Sequence, residues 1–294
     1  MSELKEKIKL SVLVTGGAGF VGSNLIAELV KDKSLKIHSL DNYFTGKEEN
    51  HIEGALYIKG DCQEINSCID FIPDVIFHFG EYSRVSTSFE DLKKVWDYNI
   101  KGTHKVVEFC RKHKCKLIYS ASSTKFADNG NNKNESPYAF FKSQNTDLIK
   151  NYNKWFNLDY AICYFYNVYG SRQIKTGKYA TVIGIFEEQY KNNQPLTVVK
   201  PGYQTRDFTH IEDIIRGLVL LMKRGSGDGY CFGTGKSYQM LEVANLFSDN
   251  FTLIDSRVGE RFESFIDLRK SYELGWKPKN NLENYIKNFK ENLK

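Results

Sequence analysis

The sequence predicts an α/β chain: a doubly wound parallel sheet followed by a smaller α/β carboxy-terminal lobe. Three observations predict it. Short apolar segments repeatedly end in small or polar residues, as parallel strands do where they deliver loops to one edge of a sheet. Stretches with helical apolar spacing lie between them. A glycine-rich turn joins the first strand to the first helix. The length of 294 residues fits about two domains at roughly one per 150 residues. A composition of 41% apolar and 26% charged residues excludes a disordered or fibrous chain.

Taken in order, residues 12–14 form the first strand, residues 15–22 the turn and residues 23–31 the first helix. Apolar runs over 36–40, 55–58, 75–79 and 116–120 follow, ending at Asp41-Asn42, Gly60-Asp61, Gly80 and Ser120 to Ser122. Residues 91–112 are long enough for a crossover helix between the last two strands. The polar stretch 128–136 reads as an exposed loop, and Pro137 opens a helix running to about residue 156. An aromatic strand over 160–166 and a loop around Gly170 lead into a mixture of short helices and strands. No repeat or Pro/Gly/Ser-rich linker separates the halves, so the two lobes should pack together.

Charge and cysteine content narrow the partners. Lys plus Arg exceed Asp plus Glu by 41 − 36 = 5, an excess spread along the chain. Its densest basic stretch, Arg111 to Lys116, suits a helix end entering a strand, so nucleic acid is not an expected partner. The six cysteines lack C-x-x-C spacing, which predicts reduced thiols and no metal site. The first ten residues alternate charged and apolar side chains, unlike a secretory signal, and the most membrane-like window, residues 11–30, is broken by four glycines, Asn24 and Glu28. A cytoplasmic protein without a membrane span is expected.

The turn places Gly16, Gly19 and Gly22 at G-x-x-G-x-x-G spacing between strand and helix. Missing side chains let backbone approach a pyrophosphate and pack the helix on the sheet, while helix amides favour the anion. Phe20 and Val21 lie at that helix start and belong to the same expected cofactor site. Asp41 ends the second strand nineteen residues after Gly22, where a carboxylate accepts ribose hydroxyls and repels a 2′-phosphate. NAD is therefore favoured over NADP. Asp61, at the next strand end, is expected either to meet the adenine amino group or simply to form the turn.

Tyr138 and Lys142 are four residues apart in a predicted helix and so share one face. A phenol ordinarily titrates near about 10, and an adjacent ammonium and an oxidised nicotinamide favour its phenolate as a base. The strand ending Ser120-Ala121-Ser122-Ser123-Thr124 precedes this helix by one loop, and Ser122 is the hydroxyl expected on the same substrate oxygen.

With these residues in place, the chain resembles the extended short-chain dehydrogenase/reductase family, specifically its NAD-dependent sugar-nucleotide epimerase/dehydratase group with a Rossmann sheet. The resemblance spans nearly the whole chain. It rests on Thr15 to Gly22 (TGGAGFVG), the Asp41-Asn42 pair, Gly60-Asp61, Asn99 to Thr103 (NIKGT) and Ser122, Tyr138 and Lys142. Tyr166 to Gln173 is similar to the family's FNVYGPRQ, with Ser171 in place of its proline and Tyr164 where an arginine often stands. Arg206 to Asp213 resembles its RDF(T/V)xVxD, Phe232 to Gly235 its N-x-G-T/S-G turn, and Arg257 to Glu260 its R-P-G-D.

The resemblance implies a Rossmann domain over residues 1–166, with 206–232 returning to it, and a mainly sugar-nucleotide-binding lobe over 167–294. It implies that Asn167 meets the diphosphate, Arg206 the nucleotide end and Arg257 the diphosphate. It also implies Ser122, Tyr138 and Lys142 as catalytic residues, Asn42 in the cofactor site, a UDP- or GDP-sugar substrate, a homodimer, and a place in surface-polysaccharide biosynthesis. Oxidation at C4 would give a 4-keto sugar that is epimerised, dehydrated across C5 and C6, or released. In the 4,6-dehydratases Asp-Glu follows the catalytic hydroxyl residue; here Ser123 and Thr124 follow, so elimination would need Glu81 or Glu135. The 4-epimerase is favoured, with a C4 dehydrogenase as the alternative. Gly80 to Arg84 replaces the usual A-A-x-x-x, so Glu81, Arg84 and Ser123 are expected at the substrate or, for Glu81 and Arg84, in an ion pair. Trp96 and Tyr98 are expected in core or subunit contacts.

Overall fold

The computed structural model describes residues 10–259, 262–263 and 265–293. The first nine residues, read above as unlike a signal, and Glu260 lie outside the described residues. The strands are β1 (Leu10–Thr15), β2 (Leu35–Asp41), β3 (Ala55–Lys59), β4 (Val75–His78), β5 (Lys116–Ser122), β6 (Tyr160–Phe165), β7 (Val168–Tyr169), β8 (Leu196–Val199), β9 (Thr205–Asp207), β10 (Thr209–His210), β11 (Gly227–Phe232), β12 (Ser237–Gln239) and β13 (Phe251–Ile254). The helices are α1 (Phe20–Leu29), α2 (Ile65–Cys68), α3 (Leu92–Val95), α4 (Thr103–His113), α5 (Pro137–Phe156), α6 (Val182–Lys191), α7 (Ile211–Arg224), α8 (Met240–Phe247), α9 (Arg269–Glu273) and α10 (Leu282–Glu291).

Seven strands form one parallel sheet in the order β11-β6-β5-β4-β1-β2-β3. Buried Leu13, Ile76, Leu117 and Ile162 pack on one face, and buried Val12, Val14, Phe77 and Ile118 on the other. Alternate side chains on each strand therefore serve opposite faces, which is why these segments are continuously apolar. The chain leaves β1 for β2 on one side and takes up β4 on the other. That reversal opens a crevice outside the carboxyl ends of the strands, where Gly16, Asp41, Gly80 and Ser122 lie. A third apolar cluster, with Ile183, Phe186, Leu196, Val243, Phe247 and Ile286 at its centre, builds the carboxy-terminal lobe.

Two elements differ from expectation. The segment over 91–112 is not one α-helix: α3 and α4 flank a π-helical turn at Trp96–Gly102. Wider turns of this kind accommodate an extra residue and re-aim the side chains on them. Here Asn99 accepts from the Tyr82 amide at 2.7 Å and donates to the Tyr82 carbonyl at 3.0 Å, locking the turn onto the loop after β4. The polar stretch before Pro137 winds as 3-10 helix at Ala127–Asn134. Ser136 then caps α5, its hydroxyl accepting from the Ala139 amide at 3.1 Å.

Candidate active site

The cradle at the end of β1 depends on glycine for two different reasons. Gly16 has φ +72°, a left-handed backbone that side chains disfavour, and a Cβ there would lie 2.9 Å from the Gly80 nitrogen. At Gly22 the limit is space, because a Cβ would meet the Gly16 carbonyl oxygen at 2.2 Å. The first turn of α1 carries no acidic side chain, so the positive end of its dipole faces the crevice unopposed. Asp41 receives the Ala18 amide at 2.9 Å and the Tyr43 amide at 2.8 Å. Burial pushes its carboxyl pKa up against the pull of those two donors. A cradle that a Cβ would fill, a helix amino terminus and a buried carboxylate at the end of the neighbouring strand together fit a dinucleotide. Asn42 lines the crevice and donates to Asp61 at 2.9 Å. Asp61 also caps the turn after β3 by accepting from the Gln63 amide at 2.9 Å, and it is not among the residues lining the crevice.

The strand β5 and helix α5 deliver the hydroxyls and the lysine to that same crevice. Ser122, Ser123, Tyr138 and Lys142 line it together with Gly16, Gly19, Phe20, Val21, Gly22 and Asp41. The Ser122 Oγ accepts from the Thr124 hydroxyl at 2.9 Å and from the Thr124 amide at 3.3 Å. Those donors leave the Ser122 hydroxyl proton for a substrate oxygen. Lys142 is 5% exposed and donates to the Ser120 carbonyl at 2.7 Å and to the Glu81 carboxylate.

Asn167, Arg206 and Arg257 line the far end of the crevice. Asn167 donates to the Asp207 carbonyl at 2.7 Å. The Asp207 carboxylate takes the Thr234 amide at 2.9 Å, the Thr234 hydroxyl at 3.0 Å and the Gly235 amide at 2.6 Å. Segments 206–213 and 232–235 are thus one structure, with Asp207 as the scaffold and Arg206 as the side chain turned to the crevice. Arg206 is 8% exposed and Arg257 is exposed.

A sequence profile of the NAD dependent epimerase/dehydratase family matches residues 12–232. The chain belongs to this family. NAD is its cofactor, and the family is one of enzymes. A Methanocaldococcus jannaschii protein provisionally named a UDP-glucose 4-epimerase is 30% identical, the match covering 94% of this chain and 96% of the relative. Among solved structures, the UDP-glucose 4-epimerase of Thermotoga maritima with UDP-glucose superposes with a TM-score of 0.87 at 25% identity, covering 97% and 100% of the two chains. The UDP-glucuronic acid 4-epimerase of Bacillus cereus, with UDP-glucuronic acid and NAD, gives 0.84 at 25% identity, covering 96% and 98%.

Against that family pattern, three departures in the chain have a structural counterpart. Tyr164, where the family often carries arginine, is fully buried and donates to Asp228 at 2.8 Å, while Lys125 donates to its oxygen at 3.3 Å; the cation comes from another element. Ser171, in place of the family's proline, donates through Oγ to Asn24 at 2.9 Å and accepts the Asn24 amide at 2.9 Å, tying its loop to α1. Glu81 requires a correction. It does not pair with Arg84, and although it lines the crevice its side chain is 1% exposed and takes Lys142, Thr103, Tyr119 and Asn145 as donors. A carboxylate carried into a closed pocket stays there because those donors replace its water. Arg84 lines the crevice but donates to the Tyr179 carbonyl, through Nε at 2.8 Å, and to the Ser83 carbonyl at 2.8 Å. Tyr98 also differs from expectation, since the π turn brings it into the crevice wall 5.2 Å from the Phe44 ring.

Sequence reading missed a clasp across the crevice. Asp91 accepts from Tyr82 at 2.9 Å and Tyr179 at 2.8 Å and pairs with Lys178 at 3.0 Å, joining the loop after β4 to the loop before α6. Burial pushes the Asp91 carboxyl up, but its Lys178, Tyr179 and Tyr82 donors prevail and hold it at about 2. No sequence signal marks this contact, because its partners are 88 residues apart and belong to no motif.

His78 gives a pH prediction. The ring is fully buried, its Nδ1 2.7 Å from the Thr15 hydroxyl and its Nε2 3.0 Å from the Thr103 hydroxyl, and burial lowers its pKa to about 4. A base depressed in the fold contributes stability that is present above its unfolded pKa of about 6.5 and lost as pH falls through the folded value. Urea unfolding of the wild type is therefore expected to weaken between pH 6.5 and about 4. His78→Asn should flatten that slope even where it lowers stability overall; an unchanged slope would remove His78 as its cause.

Proposed function

We propose that the protein is an NAD-dependent UDP-sugar 4-epimerase. The observation that carries this reading is a crevice that joins the glycine cradle to Ser122, Tyr138 and Lys142 while offering no unengaged carboxylate beside Ser122 among its described residues. The two acidic side chains lining it are Asp41, bonded to backbone amides, and Glu81, bonded to Lys142. Glu135, the other candidate base for elimination, is exposed and lines a shallow groove with Phe89 and Phe140 instead. Dehydration across C5 and C6 therefore lacks a base at C5, and epimerisation needs none there.

In this reading Tyr138 takes the proton from the C4 hydroxyl and Ser122 orients that hydroxyl. Lys142 holds the cofactor ribose and supplies positive charge beside Tyr138. NAD held in the glycine cradle would supply the hydride acceptor and donor for C4. Turning the 4-keto sugar over before return inverts C4, and Tyr138 gives its proton back. Asn167, Arg206 and Arg257 bind the diphosphate and nucleotide. UDP is preferred to GDP on the similarity to the UDP-sugar epimerases. Residues 1–166 and 206–232 serve the cofactor and 167–294 mainly the sugar nucleotide. A cytoplasmic homodimer is proposed through the α3–π–α5 face, where Leu92, Trp96 and Phe140 are 51%, 46% and 40% exposed.

The test incubates the purified protein with UDP-glucose, UDP-N-acetylglucosamine and UDP-glucuronic acid in D2O, followed by NMR, mass spectrometry and absorbance at the reduced-nicotinamide band. An isomer of unchanged mass without deuterium at C5 is expected. Loss of water or of CO2 would move the protein to the dehydratases or decarboxylases, and a released keto sugar would make it a C4 dehydrogenase.

A further inference from the structure

The Glu81 carboxylate meets Lys142 inside the fold. Its donors come from three elements besides its own loop: Thr103 on α4 at 3.0 Å, Tyr119 on β5 at 3.0 Å, and Asn145 on α5 at 3.2 Å together with Lys142. Thr103 spends its proton on Glu81, so its oxygen accepts from His78 Nε2–H, and His78 Nδ1 accepts from the Thr15 hydroxyl. Thr15 in turn accepts the Phe79 and Gly80 amides, each at 3.1 Å. A directed chain of hydrogen bonds thus runs from the cradle wall through His78 and Thr103 to the carboxylate. An ammonium has three N–H groups. Two are accounted for, by Glu81 and by the Ser120 carbonyl.

We infer that Glu81 is a positioning residue for Lys142, fixing with the Ser120 carbonyl two of its N–H groups so that the third meets the cofactor ribose, and offsetting the lysine's charge beside Tyr138. The inference rests on the proposed roles of Tyr138 and Lys142. The other titratable or charged groups around this pair are His78 on β4, Tyr119 on β5, Cys62 after β3, Cys163 on β6 and Arg84 in the loop after β4. Arg84 lines the same crevice as Tyr138 and adds a second positive charge there. With Lys142 paired to a carboxylate, the field that favours the phenolate comes more from Arg84 and bound oxidised nicotinamide than it would with alanine at position 81.

Wild type, Glu81→Gln and Glu81→Ala are to be compared by NADH fluorescence titration and by the pH dependence of kcat/KM. Glu81→Ala removes one clamp and is expected to weaken NADH by about tenfold. Glu81→Gln keeps an acceptor for Lys142 but removes the charge, so NADH affinity should stay within about threefold while the acid limb of the rate profile moves down by about one pH unit. Wild-type NADH affinity in folded Glu81→Ala would overturn the clamp. A rate lowered equally at every pH in Glu81→Gln would leave Glu81 a purely structural residue. Should Glu81→Ala fail to fold, the profile of Glu81→Gln decides alone. A wild type that isomerises no UDP-sugar would defeat the epimerase reading, whereas the NADH titrations would still report on Lys142.

Discussion

Tyr138→Phe is expected to lower UDP-sugar turnover by about 10³-fold while leaving the fold and NAD binding intact. The ring sits half-buried at the second position of α5, and phenylalanine reproduces its packing. What disappears is one hydroxyl, the group assigned to move the C4 proton. General acid–base groups contribute about 10² to 10⁴ in rate, and the loss here should fall on kcat with little change in KM, because the substrate contacts proposed for Asn167, Arg206 and Arg257 would remain. Lys142 stays anchored by Glu81 and Ser120, so cofactor affinity should hold within about twofold. Single-turnover reduction of the nicotinamide, read beside circular dichroism and NAD titration, makes the measurement. A loss below tenfold would mean that another group takes the proton and would remove Tyr138 from the centre of the mechanism.

The parts of the site legible in sequence are those where chemistry fixes local spacing. Gly16 and Gly22 must be glycines because backbone passes within contact distance of backbone, and the turn, with Gly19 between them, announces itself between a strand and a helix. Tyr138 and Lys142 are one helical turn apart, and Ser122 ends a strand whose neighbours also deliver polar residues to the same edge. Apolar runs ending in small or polar residues identified the parallel sheet, because strands covered on both faces are continuously apolar.

The illegible parts join residues far apart in the chain. Glu81 looked available because a lone carboxylate in a loop after a strand reads as a ligand-facing group; its engagement depends on Lys142, 61 residues away, and on Tyr119 and Asn145. Arg84 reads the same way until the Tyr179 carbonyl, 95 residues on, takes its guanidinium. The π turn at Trp96–Gly102 was also hidden, because helical periodicity cannot register one added residue. Tyr98 was therefore missed as part of the crevice wall.

Gly22→Ala is expected to cost the protein both cofactor and stability. The added Cβ would stand 2.2 Å from the Gly16 carbonyl oxygen, 2.7 Å from the Gly17 Cα and 2.9 Å from the Gly16 carbonyl carbon, all backbone atoms of the cradle. No rotamer relieves such contacts; either α1 moves off the sheet or the turn opens. Moving α1 pulls Leu25 and Ile26 out of the core they share with Val12 and Phe77. Overpacking of this kind costs about 1–3 kcal/mol, enough to lower the melting temperature by several degrees in a chain of this size. Opening the turn instead withdraws the amides that would hold the pyrophosphate, and NAD affinity should fall by about 100-fold or more. Gly19→Ala separates the two costs: its Cβ meets a single atom, the Gly16 oxygen, at 3.2 Å, so unliganded stability should change little. Melting curves with and without NAD measure both effects, since ligand stabilisation scales with affinity. A Gly22→Ala protein with wild-type melting and a wild-type NAD shift would show that the cradle yields without cost, and the close approach of Gly22 to Gly16 would no longer account for the glycine there.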